Sequence, residues 1–373
     1  MNEEIKPAQP SKEARFAEVL KDCFGQRHLV VLQDYPDPDA ISSGFAYKII
    51  AASFGIEADL VYCGRISHPE NIALVKVMGI DMLRWSESLD LTEYNGAVFV
   101  DNQGSTAGTI VEALVEAEVP TLIIIDHHER QEVLKPRFAD IRKTGATATI
   151  LASYISSGLL DMKRANGDHV RMATALMHGL MTDTSKFVRA RPEDFHAAAF
   201  LSPFIDGDLL GQITNQSRSK QTMEAIRRSL GNRAIAESFS IAGIGFIRAE
   251  DRDAIPQAAD FLLTEENVHT AIVFGVVTAE NGEEVVIGSM RTSKITIDPD
   301  EFLKEVFGKD ASGRYFGGGK KVAGGFEIPV GFLSGSKDES FQDMKWKVFE
   351  AQIHQKIFAK IGVAKPPLSL PAA

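Results

Sequence analysis

The chain has 373 residues, 44% of them hydrophobic and 24% charged, which suits a globular protein of two domains. Its formal net charge of −11 argues against a protein that coats long nucleic acid electrostatically, while a short phosphorylated ligand held by local cations stays compatible. No apolar run is long enough to cross a bilayer, the opening residues lack the apolar core of a secretion signal, and Cys23 and Cys63 stand in no metal spacing. A reducing, cytoplasmic setting without a membrane partner is expected.

Residues 1–24 read as a polar tail and a helix, closed by Gly25. HLVVLQ (28–33) reads as a buried strand; the turn DYPDPD follows, and 39–54 has helical periodicity stopped at Gly55. IEADLVYCG (56–64) reads as a second strand, 69–78 as a helix, GAVFVD (96–101) as a third strand and PTLIIID (120–126) as a fourth. Near-continuous apolar strands alternating with helices predict an α/β fold, with a parallel sheet covered on both faces. From about 145 to 231 the pattern is mostly helical; 239–247 returns to strand, and 268–292 reads as a hairpin turning at Asn281-Gly282. A glycine-rich loop is expected over 313–325 and an amphipathic closing helix over 339–361. The expected organisation is a parallel-sheet domain over 25–205, a helical linker over 206–235, a smaller α/β domain with a mixed sheet over 236–362, a cleft between the two, and a loose tail from 363.

Three of the apolar strands run into aspartate: VVLQDYPDPD into Asp37 and Asp39, AVFVD into Asp101, and LIIID into Asp126, followed at once by His127 and His128. In parallel α/β sheets ligands bind beyond the carboxyl ends of the strands, so these acids can share one crevice. Asp183, after an apolar helix, is a fourth candidate. A lone aspartate there is most often a cap or turn residue; the joint order is what carries the reading. Clustered carboxylates stay ionised together only beside compensating cations. Aspartate with histidine and no cysteine suits manganese or magnesium better than structural zinc. A carboxylate shared by two ions roughly 3.5–4 Å apart would make a hydrolytic centre. His178, on an apolar helix, reads as a satisfied core histidine, Asp34 as a turn residue, and Lys186 equally as a phosphate partner or a solvated lysine.

The order of these motifs resembles the DHH phosphoesterase superfamily: DPDA (37–40), the aspartate of FVDNQG (101), DHH (126–128) and the aspartate of MTDT (183). The closer resemblance is to the two-domain branch of nanoRNases and 3′-phosphoadenosine-5′-phosphate phosphatases, whose second, DHH-associated domain has an arginine-bearing strand and a GGGH motif. Here SMRT supplies Arg291, and GRYFGGGK supplies Arg314, Gly317, Gly318, Gly319 and Lys320. The resemblance covers about residues 25–335. It implies Asp37 and Asp101 on a first metal, and Asp39, Asp101, His127 and Asp183 on a second. It also implies Asp126 fixing a histidine ring, and His128 near the scissile phosphate as an acid or charge stabiliser. Two manganese ions, with magnesium or cobalt as substitutes, would activate the attacking water. Arg291, Arg314, the amides of Gly317 to Gly319 and Lys320 would grip the substrate. Two positions depart from the pattern: Gln33, a weak or absent ligand, replaces a histidine, and Lys320 replaces the last residue of GGGH. The implied activity is a phosphodiesterase that cuts short oligonucleotides or linear dinucleotides, pGpG being the candidate, to mononucleotides. Hydrolysis of 3′-phosphoadenosine-5′-phosphate, hydrolysis of phosphoanhydrides and a non-catalytic nucleotide sensor are the alternatives. The partner would be a short nucleotide, with no long nucleic acid and no membrane, and a homodimer is compatible.

Overall fold

The computed structural model describes residues 11–66, 68–279, 282–335 and 338–363. The chain divides into two compact units after Gln216. The stretch 206–235 is shared between them: Gly207–Thr214 belongs to the first unit and Lys220–Asn232 to the second. Among the described residues no helix is long and apolar enough to cross a membrane.

The first unit runs α1 (Lys12–Asp22), β1 (Arg27–Val31), α2 (Pro38–Ser53), β2 (Glu57–Tyr62), α3 (Pro69–Met78), β3 (Met82–Arg84), β4 (Gly96–Val100), α4 (Gly108–Glu116), β5 (Thr121–Asp126), β6 (Phe138–Ile141), α5 (Thr147–Tyr154), α6 (Gly167–Asp183), α7 (Pro192–Leu201) and α8 (Gly207–Thr214). The six strands form one parallel sheet in the order β3-β2-β1-β4-β5-β6. Strand side chains alternate between the faces. Val30, Leu60, Val98 and Ile125 face a core shared with α1, α2, α5 and α6, while Leu29, Val31, Val61 and Phe99 pack with Ile110 and Leu114 of α4. The four expected strands and the cover on both faces are present. The edge strands β3 and β6 were not read from the sequence, because three or four residues are too few to show a period.

Winding reverses at β1, which pairs with β2 on one side and β4 on the other. That is the topological switch at which such sheets open a crevice. The first turn of α2 lies against α6 closely enough that a Cβ on Gly179 would stand 2.2 Å from Ser42 Oγ and 3.1 Å from the Asp39 Cα. A glycine is required there, and the approach brings the end of α6 to the start of α2.

The second unit runs α9 (Lys220–Asn232), β7 (Ala234–Ala236), β8 (Phe239–Arg248), α10 (Ala254–Leu262), β9 (Thr270–Thr278), β10 (Glu284–Thr292), α11 (Pro299–Phe307), β11 (Gly317–Lys320), β12 (Ala323–Pro329) and α12 (Glu339–Lys360). Its mixed sheet has the order β11-β12-β10-β9-β8-β7, with β8 and β9 parallel and the other pairs antiparallel. Phe239, Phe274 and Phe326 pack with α11 and α12, and Ala242, Ile244 and Val273 pack with α9 and α10. The expected hairpin is β9 and β10; Asn281 of its turn lies outside the described residues, as do residues 1–10 and 364–373 of the expected tails. The glycine-rich stretch is not a loop. Gly317–Lys320 is an edge strand paired with β12, Gly318 against Gly325 and Gly319 against Gly324.

Candidate metal centre

Asp37 ends the turn after β1 and caps α2, accepting from the Ala40 N–H at 3.0 Å; Pro38 suits the first helical position. Asp39, one residue into the helix, is fully buried. Its Oδ2 accepts from the Thr147 N–H at 2.6 Å and its Oδ1 from the Ala148 N–H at 2.9 Å, so the opening turn of α5 holds both oxygens in place. Asp101 follows β4 in the left-handed region, at φ 60°. Its Oδ1 accepts from the Thr147 hydroxyl at 2.8 Å, and its buried Oδ2 has no hydrogen-bond partner.

His127 follows β5. Its Nδ1 lies 3.2 Å from the Thr144 carbonyl, which can only accept, so Nδ1 carries the proton and Nε2 keeps its lone pair. That Nε2 is buried without a hydrogen-bond partner, 3.3 Å from Asp183 Oδ2 and 3.5 Å from Asp101 Oδ1. Donor atoms of Asp39, His127 and Asp183 lie within 4.8 Å of one another, as do those of Asp101, His127 and His128.

Lone pairs facing lone pairs in a buried pocket need positive charge between them. Burial, then the Asp183 charge, pushes Asp39 up to about 7. Burial, then Asp39, Asp37 and Asp183, raises Asp101 well above the usual carboxylate range. Asp37 is raised by burial and by Asp183, against the opposing pull of the Ala40 N–H and the neighbouring Gln33 side chain. Burial disfavours a charged His127 ring, but the facing Asp183 and Asp39 carboxylates outweigh it and hold it up at about 9, so a cation binding at Nε2 would displace a proton there. A divalent cation satisfies all of these groups at once, and the oxygen-plus-imidazole donor set fits one of the manganese or magnesium type. Asp37 belongs to neither donor trio, and Gln33 stands beside it.

His128 is half-exposed, and its Nδ1 lies 2.8 Å from Asp126 Oδ1, so the ring that Asp126 fixes is that of His128. Burial raises Asp126, but hydrogen bonds from His128 and Gln103 outweigh it and bring that carboxyl below its ordinary value. Gln103, Thr144, Thr147 and Asp194 were not singled out in the sequence. Asp194 is buried at the start of α7 and accepts from the Gly145 N–H at 3.0 Å and the Thr149 hydroxyl at 2.6 Å, tying down the segment that carries Thr144 and Thr147. The only signal for it was its third place in a proline-led helix start, where an acid reads as a cap.

His178 of α6 is buried, but it is not the satisfied core histidine expected: neither ring nitrogen has a hydrogen-bond partner. Lys186 is exposed in a turn where Ser185, Lys186 and Phe187 all have positive φ.

In the second unit, Arg314, Gly317 and Gly318 line a groove of about 560 Å³ with Tyr315 and Phe316. Arg291, Gly319 and Lys320 are not among its lining residues. Arg291 donates from Nε to Asp260 and from Nη1 to Ser289 Oγ, both at 2.7 Å. Lys320 is exposed. Of the three glycine amides expected to grip the substrate, that of Gly319 donates to Asp300 Oδ1 of α11 at 3.0 Å.

No protein-family model matches the chain. An uncharacterised protein of Methanocaldococcus jannaschii is 35% identical over 339 residues, 90% of this chain and 64% of that one. A probable manganese-dependent inorganic pyrophosphatase of Bacillus cereus is 27% identical over 190 residues, 49% of this chain and 57% of that one. The chain thus spans less than two thirds of the length of either relative. Among solved structures, an exopolyphosphatase-related protein from Bacteroides fragilis matches with a TM-score of 0.67 and 17% identity, over 94% of this chain and 97% of that one. In fold the chain is therefore similar to this exopolyphosphatase-related protein over nearly the full length of both.

Proposed function

We propose that the chain is a divalent-metal-dependent hydrolase of phosphate esters or anhydrides, and that its substrates are short nucleotides, linear dinucleotides such as pGpG among them. The observation that carries this is the pair of buried, unpartnered acceptors, Asp101 Oδ2 and His127 Nε2, set among Asp39 and Asp183. Asp39, Asp101, His127 and Asp183 would hold the ion, with Asp37 available to a second one. Such an ion supplies an acidified water and neutralises charge on a phosphoryl oxygen. The Thr147 and Ala148 amides keep Asp39 aimed, and the Thr144 carbonyl keeps the His127 lone pair free. His128 gives its Nδ1 proton to the bond with Asp126, which leaves Nε2 to hold or deliver a proton at the leaving oxygen.

The nucleotide reading draws support from the groove of the second unit, where Tyr315 is 44% exposed beside Phe316 and Arg314. An aromatic face with a guanidinium suits a base and a phosphate, and about 560 Å³ suits a small ligand. Phosphoanhydride cleavage is the second reading, favoured by the partial likeness to the probable pyrophosphatase.

The test is product analysis with manganese on linear dinucleotides including pGpG, longer oligonucleotides, 3′-phosphoadenosine-5′-phosphate, pyrophosphate and polyphosphate. Asp101→Ala serves as the control, with an expected loss of at least about a thousandfold in kcat, the scale of removing an essential charge-stabilising group. Mononucleotides released from dinucleotides, and not by the control, support the proposal. Release of orthophosphate from anhydrides alone transfers the chain to the second reading. Turnover by Asp101→Ala near the wild-type rate would rule out this centre as the site of chemistry.

A further inference from the structure

The turn that carries Asp101 is tied down by its own side chains. Asn102 donates from Nδ2 to the carbonyls of Val31 at 3.0 Å and Val100 at 3.1 Å, and its Oδ1 accepts from the Gly104 N–H at 3.1 Å. Gly104 takes φ 99°, where a side chain would be strained. Gln103, between them, is 2% exposed. Its Nε2 donates to Asp126 Oδ2 at 2.6 Å and to the Glu129 carbonyl at 3.0 Å, and its Oε1 accepts from the Gln131 N–H at 2.7 Å. The sense of this amide is fixed at both ends, since a carboxylate only accepts and a backbone N–H only donates. The other oxygen of Asp126 accepts from the His128 N–H at 3.2 Å and from its ring Nδ1 at 2.8 Å. One amide therefore sets the plane of the carboxylate, and that carboxylate sets the ring.

We propose that Gln103 is a positioning residue for His128: by holding Asp126 in one orientation it keeps the His128 ring in the Nδ1–H tautomer, with Nε2 as the atom that meets substrate. A mere strut between the turns after β4 and β5 would need no particular donor at Asp126. The inference rests on the hydrolase reading of His128, and its test is chosen to separate the two.

The experiment compares wild-type protein, Gln103→Met and Gln103→Glu, each loaded with magnesium and labelled with ¹⁵N-histidine, above the pH at which imidazole is protonated. Gln103→Glu keeps the acceptor for Gln131 and loses only the Nε2 donor to Asp126 and the Glu129 carbonyl, so it tests the idea even if the methionine variant folds poorly. The His128 signal is assigned by its loss in His128→Asn. The expected result is a single Nδ1–H tautomer in the wild type and a mixture in the variants. A fall of about 10–100-fold in kcat, with KM within about threefold, accompanies it, as for other residues that orient a reacting group from behind. A wild-type ring protonated on Nε2, an unchanged tautomer in a folded variant, or an unchanged kcat in one overturns the inference. If the wild type turns over none of the substrates, the proposed function fails, and the tautomer comparison still decides whether Gln103 orients His128.

Discussion

His178 shows how far one residue can depart from what its surroundings would suggest. An imidazole on an apolar helix is ordinarily bonded to something, yet both nitrogens here lack a partner. Burial first, then the nearby His68, pushes the ring down to about 4, from an ordinary value of 6.5. The unfolded chain then takes up its proton at higher pH than the folded one. The contribution of a neutral His178 is complete above 6.5 and is lost as pH falls toward 4, with a slope of about 1.4 kcal/mol per pH unit for one proton. Urea unfolding between those limits should therefore show the wild type losing stability faster on acidification than His178→Leu. Parallel curves would mean the ring is solvated or already charged. The same residue marks the limit of the sequence. That Asp39, Asp101, His127 and Asp183 come together was legible because strand ends and motif order are local. Bonding state is not local: whether His178 is satisfied, or which histidine Asp126 holds, depends on residues brought together across the sheet.

At the scale of elements, long apolar periods were read correctly and short or glycine-rich ones were not. The strands β3 and β6 are too brief to show alternation, and β11 has almost no side chains with which to show it. Pairing with β12, and the packing of Phe326 against Phe307, make a strand of what composition marks as a loop. The join between α5 and α7 was also invisible, and it supports the segment that carries Thr144 and Thr147. Asp194 accepts three hydrogen bonds, from the Gly145 and Arg191 N–H groups and the Thr149 hydroxyl. Asp194→Ala leaves those donors unpaired, the Thr149 hydroxyl among them buried. We expect a loss of roughly 2–4 kcal/mol in denaturant unfolding. Manganese affinity, measured by calorimetry, should weaken as Thr144 and Thr147 lose their anchor. A destabilised protein with unaltered manganese affinity would show that the segment holds its place without α7.

At the scale of the whole molecule, the hydrophobic clusters respect the division at Gln216: among the described residues no core cluster draws from both units. Each unit has its own sheet covered on two faces, which is what an independently folding domain requires. Residues 11–216 produced alone should therefore fold cooperatively and gain thermal stability on adding manganese, and residues 217–363 should fold without responding to it. An unfolded first piece would mean that its core is incomplete without the rest of the chain.

The backbone at Asp101 has an outcome for how this chain can change over time. A non-glycine residue at φ 60° is held in a conformation that folding disfavours, and asparagine or glycine would relieve it at little steric expense. Either replacement would also remove a buried carboxylate from a crowd of like charges. Drift toward a more stable protein therefore leads directly away from the proposed metal site. Persistence of aspartate at this position in sequences descended from a common ancestor would record selection for activity against the pull of stability, and its replacement would date the point at which a lineage stopped using the centre.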